Sequence, residues 1–331
     1  MDLTDIKYSV LDLAVIGEGQ TPADAIRESR DLAQEAEQMG YTRFWMAEHH
    51  NMENIASSAT SILLGYVAEA TDSILVGSGG VMLPNHSPLI IAEQFGTLAS
   101  LYPGRIDLGL GRAPGTDQAT AQAIRPDRVQ QVRQFPDNIK KLQRYFSDDT
   151  NSSVNAIPGR GTEIPLWILG SSPNSAQLAA SLGLPYVFAS HFAPQQMMAA
   201  LKVYHNQFEP SQQLDEPYVV PCINIVAANT DEEANRLSTS LKQMFMGIVT
   251  GNRQPLQPPV DGLESQWNPR QEAAVNQMLS CSFIGSKKKI KKELRNFAAK
   301  TQANEIMIAS YIFDHQKRIK SHRLFAELMQ E

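Results

Sequence analysis

Eight short runs rich in β-branched and aromatic residues recur along this chain, at 8–16, 43–47, 74–83, 106–110, 165–169, 186–189, 218–227 and 305–312. Each is followed by a loop carrying Gly, Ser, His or Asn, and longer segments with apolar residues at helical spacing separate them. Strands alternating with helices imply repeated βα units and a parallel sheet, and eight is the number at which such a sheet closes on itself. The pattern therefore predicts an α/β fold, a (β/α)₈ TIM barrel. One barrel absorbs ~200 to 400 residues, so the 331 residues read as a single domain spanning 1–331.

The first helix shows how the punctuation works. Thr21 caps it, Pro22 suits its first turn, Ala25, Ile26, Leu32, Ala33, Ala36 and Met39 form one apolar stripe, and Gly40 ends it. Similar helices are predicted near 57–71, 88–101, 126–146, 174–182, 194–208, 231–247 and 316–330. The alternation then breaks. The stretch GNRQPLQPPVDGLESQWNPRQ has four prolines and no period, so 248–285 reads as an insertion before the last βα unit, followed by an extra helix at 287–300. Long loops on barrels often act as lids. With little apolar surface to anchor it, 251–271 is expected to be mobile. The run KKKIKK at 287–292 reads as the solvated face of the extra helix.

With 42% hydrophobic and 19% charged residues, the chain can build a sizeable core, which excludes collagen-like, coiled-coil and disordered classes. A net charge of −6 repels phosphate backbones and anionic bilayers, so neither nucleic acid nor membrane is an expected partner. Cys222 and Cys281 lie far apart with no CxxC spacing, which signals neither a disulfide framework nor a zinc site. Asp2, Asp5, Asp12 and Glu18 do not suit a secretory signal, and a cytoplasmic location is expected.

In a barrel the active site is built at the carboxyl ends of the strands. There the chain places Glu48-His49-His50-Asn51, then Gly77-Ser78-Gly79-Gly80 leading to His86, then GLGRAPG at 109–115, then GSSPNS at 170–175. The spacing GxGxxxG, with Pro114 where a helix should continue, departs from a dinucleotide fingerprint. These glycines let backbone approach a flat or phosphorylated ligand while Arg112 supplies a positive fork; the alternative is a tight turn with a surface arginine. GSSPNS leaves N–H groups at a helix start free to hold an anion, or serves as an ordinary cap through Ser172 or Asn174. Metal sites in barrels need ligands from several strands, and the first strand has no histidine, so no metal is expected. His49 and His50 point to opposite sides if the strand extends through them, leaving one to face the barrel mouth. His86 and His191 fall near other strand ends.

These motifs together resemble the bacterial luciferase-like flavin monooxygenases. The resemblance is carried by SVLDLAVIGEG, FWMAEHHN, the long block VGSGGVMLPNHSPLIIAEQFGTLASLYPGRIDLGLGRAPGTD, LGSSPNSAQLAASLGLPYVFASHF and IFDHQKRIKSHRLFAEL, spread over nearly the whole chain. It implies a barrel that takes reduced FMN as cosubstrate, reacts it with O2 through a flavin C4a-hydroperoxide, and oxygenates a small organic substrate. It implies His49 as the catalytic residue, Gly79 and Gly80 as a cis-linked support for the flavin, and Arg112, Gly170, Ser171, Ser172, Asn174 and Ser175 around its phosphate end. It further implies a homodimer paired through the helices after strands two and three, where Ala56–Ala59, Ser61, Ala92, Gly96 and Ala99 are small enough for close approach. No nicotinamide fingerprint is visible, so a separate flavin reductase is the expected source of reduced FMN. The chain departs from the luciferase catalytic subunit at Gly111, where that family has its reactive cysteine, and at Gly170, where it has an acid. Light emission and a long-chain aldehyde substrate are therefore not implied. Rival readings are a deazaflavin-dependent dehydrogenase on the same barrel, a non-catalytic flavin-binding protein, and a metal-dependent amidohydrolase.

Overall fold

The computed structural model describes residues 2–149, 153–263 and 267–331. Its strands are β1 (Lys7–Asp12), β2 (Arg43–Met46), β3 (Leu75–Met82), β4 (Ile106–Gly111), β5 (Leu166–Gly170), β6 (Tyr186–Phe188), β7 (Val219–Ala228), β8 (Ser282–Ser286) and β9 (Glu305–Ala309). Strands β1 to β7 pair in parallel in chain order, β7 pairs with β9, and β9 returns to β1 with Val10 opposite Ile308, which closes an eight-stranded barrel. This is the TIM barrel expected from the alternation. The eight closing strands are the eight predicted. Several stop earlier than expected, β1 at Asp12 because Ala14 takes a left-handed φ of 47° that ends regular pairing.

The helices are α1 (Pro22–Gln38), α2 (Thr60–Ala68), α3 (Pro88–Leu101), α4 (Gln118–Ile124), α5 (Arg128–Arg133), α6 (Phe135–Phe146), α7 (Pro173–Ser181), α8 (Met197–Gln207), α9 (Asp231–Thr250), α10 (Pro269–Met278), α11 (Lys287–Thr301) and α12 (His315–Gln330). The sequence signals for α1 act as expected: Asp24 N donates to Thr21 Oγ1, Asp24 Oδ2 accepts from Thr21 N, and Gly40 turns the chain out at φ 79°. The single helix expected at 126–146 is instead split into α5 and α6, with Pro136 in the first turn of α6, where a ring without an N–H is tolerated.

The expected insertion is more ordered than its composition suggested. Residues 264–266 lie outside the described residues. Around them, Asn268 caps α10 by accepting from Arg270 N and Gln271 N, and β8 pairs with the last five residues of β7. The reason given for mobility is also corrected, because Leu256 and Leu263 are both buried. Leu256 N donates to Ile16 O, and Val260 N donates to Thr239 Oγ1 on α9. The lysine run opens α11, where Lys287 pairs with Glu327 of α12 and with Glu331 just beyond it.

Buried apolar residues form a layer between strands and helices and a second cluster inside the barrel. At the amino-terminal end of the lumen, Arg43 is paired with Asp107 and Glu305, and Trp45 Nε1 and Trp167 Nε1 donate to Asp107. Tyr218 OH and Ser9 Oγ donate to Glu305. This plug satisfies its own charges and leaves the opposite, carboxyl-terminal end of the lumen open.

Candidate active site

The open end holds a cavity of about 680 Å³, within the size range of small-molecule sites. It gathers residues that are far apart in sequence: His49, Gly79, Arg112, Gly170, Ser171, Ser172 and Ser175 all line it. Gly80 and Asn174 do not. Gly80 packs on the backbone of Gly109, and Asn174 is exposed in the first turn of α7.

β2 ends at Met46, so the strand does not extend through the two adjacent histidines, and it is the loop's own bonds that separate them. His50 Nε2 lies 2.9 Å from Glu48 Oε1, so the structural partnership open to either histidine belongs to His50. Glu48 is buried and also receives His86 Nε2 at 2.9 Å and Met82 N at 3.1 Å. Burial alone would raise its pKa, but the bonds from His50 and His86, together with Met82 N, outweigh that and hold it at about 2. The carboxylate is thus ionised and fully engaged, tying the loop after β2 to the loop after β3.

His49 faces the cavity. Its main chain is fixed by a bond from His49 N to Ser57 O at 2.9 Å, and Nδ1 lies 3.3 Å from Gly115 O. A carbonyl only accepts, so Nδ1 carries the proton and Nε2 presents a lone pair, with no hydrogen bond among the described residues. Burial lowers the His49 pKa, and the charge of Arg253 lowers it further, which keeps the ring neutral near pH 7. His191 also lines the cavity; burial, then proximity to His49, takes its pKa down to about 3, and its Nδ1 has no partner among the described residues.

Away from His49 lies a corner suited to an anion. β5 ends in Gly170, and Ser171 and Ser172 lead into α7, in whose first turn Pro173 has no N–H and Ser175 N is taken by Ser172 O at 3.2 Å, so that an anion would meet the positive N-terminal end of the helix dipole. Ser172 faces the N–H of Ser175 in a capping box, and of the corner's hydroxyls that of Ser171 is uncommitted among the described residues. Ser175 Oγ is not: it donates to Ser172 O at 2.7 Å and lies 2.9 Å from Tyr186 OH. Arg112 follows β4 and makes no side-chain bond among the described residues, while Arg128 is held by Asn85 Oδ1 at 3.1 Å and by the carbonyl of Arg112 at 2.9 Å.

The glycines explain why backbone forms the floor between these groups. A Cβ at Gly79 would lie 2.4 Å from Leu11 Cδ1, and one at Gly111 would lie 2.5 Å from Met82 Cε. The Gly79–Gly80 peptide is cis, as the resemblance implied. Gly170 stands where the luciferase subunit has an acid, and here Ser175 fills the space such a side chain would need.

Arg128, Arg253 and Asn54 line the cavity but were not singled out from the sequence. Arg128 sat within a segment read as one surface helix, and Arg253 within the aperiodic insertion. No Asp or Glu lines the cavity among the described residues. Nor does any group of three or more His, Cys, Asp or Glu side chains among them form a metal site. No helix among the described residues is long and apolar enough to cross a membrane.

A family model described as luciferase-like monooxygenase matches residues 6–304. A luciferase-like monooxygenase of Escherichia coli (strain K12) is 50% identical over 327 residues, covering 98% of each chain. Among solved structures, apo-MsnO8 is 34% identical with a TM-score of 0.91 and 98% of both chains covered. Two more distant structures share the fold: the oxygenating constituent of 3,6-diketocamphane monooxygenase of Pseudomonas putida in complex with FMN, 14% identical with 98% of both chains covered and TM-score 0.76, and an F420-dependent secondary alcohol dehydrogenase, 16% identical with 100% of both covered and TM-score 0.71.

Proposed function

Because the chain belongs to the luciferase-like monooxygenase family, we propose that it binds FMN in the 680 Å³ cavity and, with reduced FMN as cosubstrate, uses O2 to oxygenate a small organic substrate. The observation that carries this reading is one cavity in which uncommitted anion donors lie along a side-chain-free floor from a neutral histidine. Bound reduced FMN would supply the electrons that reduce O2, one oxygen atom passing to the substrate and the other leaving as water.

The chain's residues have separable tasks in this scheme. Arg112 and Arg128 hold the FMN phosphate with Ser171, Ser172 and the N-terminus of α7. Gly79, Gly80 and Gly111 let a flat ring lie against backbone. The apolar lining, with Leu11, Leu169 and Val187 at its base, excludes water. His49 Nε2 takes a proton during oxygen transfer and returns it, and Gly115 O keeps the acceptor nitrogen turned to the cavity. Reduced FMN comes from a separate flavin reductase. The protein acts as a homodimer through α2 and α3, where Ile62 is 72% and Leu101 65% exposed. Of the small residues expected at that interface, Ser58 and Ala59 are exposed, whereas Ser57 and Ala92 are buried and Gly96 packs directly on Gly159.

Titration of the purified protein with FMN, riboflavin and F420, followed by admission of O2 to the complex with reduced FMN, tests the reading. FMN should bind more tightly than riboflavin, and Arg112→Ala should weaken FMN by about 10- to 100-fold while changing riboflavin little. Equal weakening of both would remove the arginine from the phosphate. Tight F420 binding without FMN binding would replace the oxygenase by the dehydrogenase.

A further inference from the structure

Three arginines and no carboxylate face the cavity among the described residues. Arg112 and Arg128 belong to the anion corner after β4. Arg253 belongs to a different wall. It follows α9, which ends at Gly251 with a left-handed φ of 74°, and three residues later Leu256 fastens the chain by donating from its N–H to Ile16 O at 2.8 Å and accepting from Glu18 N at 2.9 Å. The stub carrying Arg253 is therefore held at both ends.

The guanidinium reaches over the loop after β2, where Nη1 lies 3.3 Å from Met52 Sδ, a weak acceptor for a full charge. It has no carboxylate partner among the described residues, and its field is felt at His49. Beside it the wall is apolar, built from Met244, Phe245 and Ile248 of α9 with Ile55 and Met278. A cation bordering an apolar pocket gains most from a ligand that supplies one anionic group and an apolar body. Because Arg253 is exposed at the rim, such a group reaches it with little loss of hydration.

We propose that the cavity's second occupant is a small organic acid, an apolar body ending in one carboxylate or sulfonate, and that Arg253 selects it. The acid head sits at the rim, and the body lies between α9 and His49, where oxygen transfer would occur. This deepens the function proposed above and rests on its placement of the reacting centre at His49.

Hexanoate, hexanesulfonate and hexanamide, which share one apolar body, are titrated calorimetrically into the wild-type and Arg253→Gln proteins, each with and without FMN. Wild type should prefer an acid to the amide by about fivefold or more, Arg253→Gln should erase that preference, and FMN affinity should be the same in both. Absence of acid preference in wild type, or its survival in Arg253→Gln, overturns the proposal. So does a variant that loses FMN affinity and keeps the acid preference, because Arg253 would then serve the phosphate. If FMN fails to bind wild type while the Arg253-dependent preference persists without it, the acid site stands and the flavin reading falls.

Discussion

Replacing Gly170 with alanine tests whether the anion corner is shaped by packing. An ideal Cβ at 170 would lie 2.0 Å from Ser175 Oγ and 2.3 Å from Ser175 Cβ. The hydroxyl can rotate, but the Cβ moves only with the backbone of α7. Overpacking of this kind costs about 1–3 kcal/mol. Displacing Ser175 also strains its bonds to Ser172 O and Tyr186 OH, about 1 kcal/mol more. Gly170→Ala should therefore lose about 2–4 kcal/mol. Ser175→Ala cannot relieve it, since the Cβ contact remains. Ser175→Gly can, although it loses the hydroxyl's bonds and about 1 kcal/mol of helix propensity on its own. Urea unfolding of wild type, both single variants and the double variant closes the cycle. The double variant should be about as stable as Ser175→Gly alone, a favourable coupling equal to the whole cost of Gly170→Ala, about 2–4 kcal/mol. FMN affinity should fall in Gly170→Ala and recover in the double variant, because Ser171 and Ser172 move with the clash. Additive losses within about 0.5 kcal/mol would refute the steric argument.

His49→Ala should bind FMN nearly normally and lose product formation by about 10²-fold or more, whereas His50→Ala should act through Glu48 and lower stability first; coupled oxygen consumption retained in His49→Ala but lost in His50→Ala would reverse the pair. Burial holds His191 at about 3 and His322 at about 4, below the ~6.5 of an unfolded imidazole. The stabilising difference is thus complete above about pH 6.5 and is lost as acid reaches the folded values, because the unfolded chain binds protons that the native state refuses. Each ring contributes a slope of about 1.4 kcal/mol per pH unit near pH 5, so urea midpoints should fall on acidification, and His322→Gln should show a shallower dependence; an unchanged slope would count against it. Ile62→Glu with Leu101→Glu should convert the proposed dimer to monomer by light scattering, and wild type already monomeric at micromolar concentration would dispose of the interface.

The barrel was legible because its signals are local and repeated. Strand runs such as 43–47 carry their character within five residues, and caps such as Thr21 and Asp24 act within one turn. What escaped depended on partners distant in sequence. β8 has only five residues, SFIGS, and becomes a strand because β7 runs on past the barrel to meet it. Asn268, Pro269 and Gln271 did carry a helix-start signal for α10, obscured by the prolines before them. The division of labour between His49 and His50 could not follow from strand periodicity, since β2 ends at Met46; it depends on Gly115, from the loop after β4, and on Glu48, which His86 of the loop after β3 also holds. Arg253 had no local signal: its lack of a carboxylate partner appears only once the cavity wall is assembled.

The ten-residue β7 does two jobs in succession. Val219–Pro221 and Cys222–Asn224 seal the barrel against β6 and β9, and the remaining length receives β8. Everything from α9 to β8 is therefore a detour that departs from one strand and comes home to it. That detour furnishes Met244, Phe245, Ile248, Arg253 and Met278, while the anion donors Arg112, Arg128, Ser171 and Ser172 come from earlier stretches of chain. The two sides of the chamber are thus written in separate passages of the sequence, and one can be revised while the other is kept. A barrel organised in this way can change its guest without rebuilding its hearth.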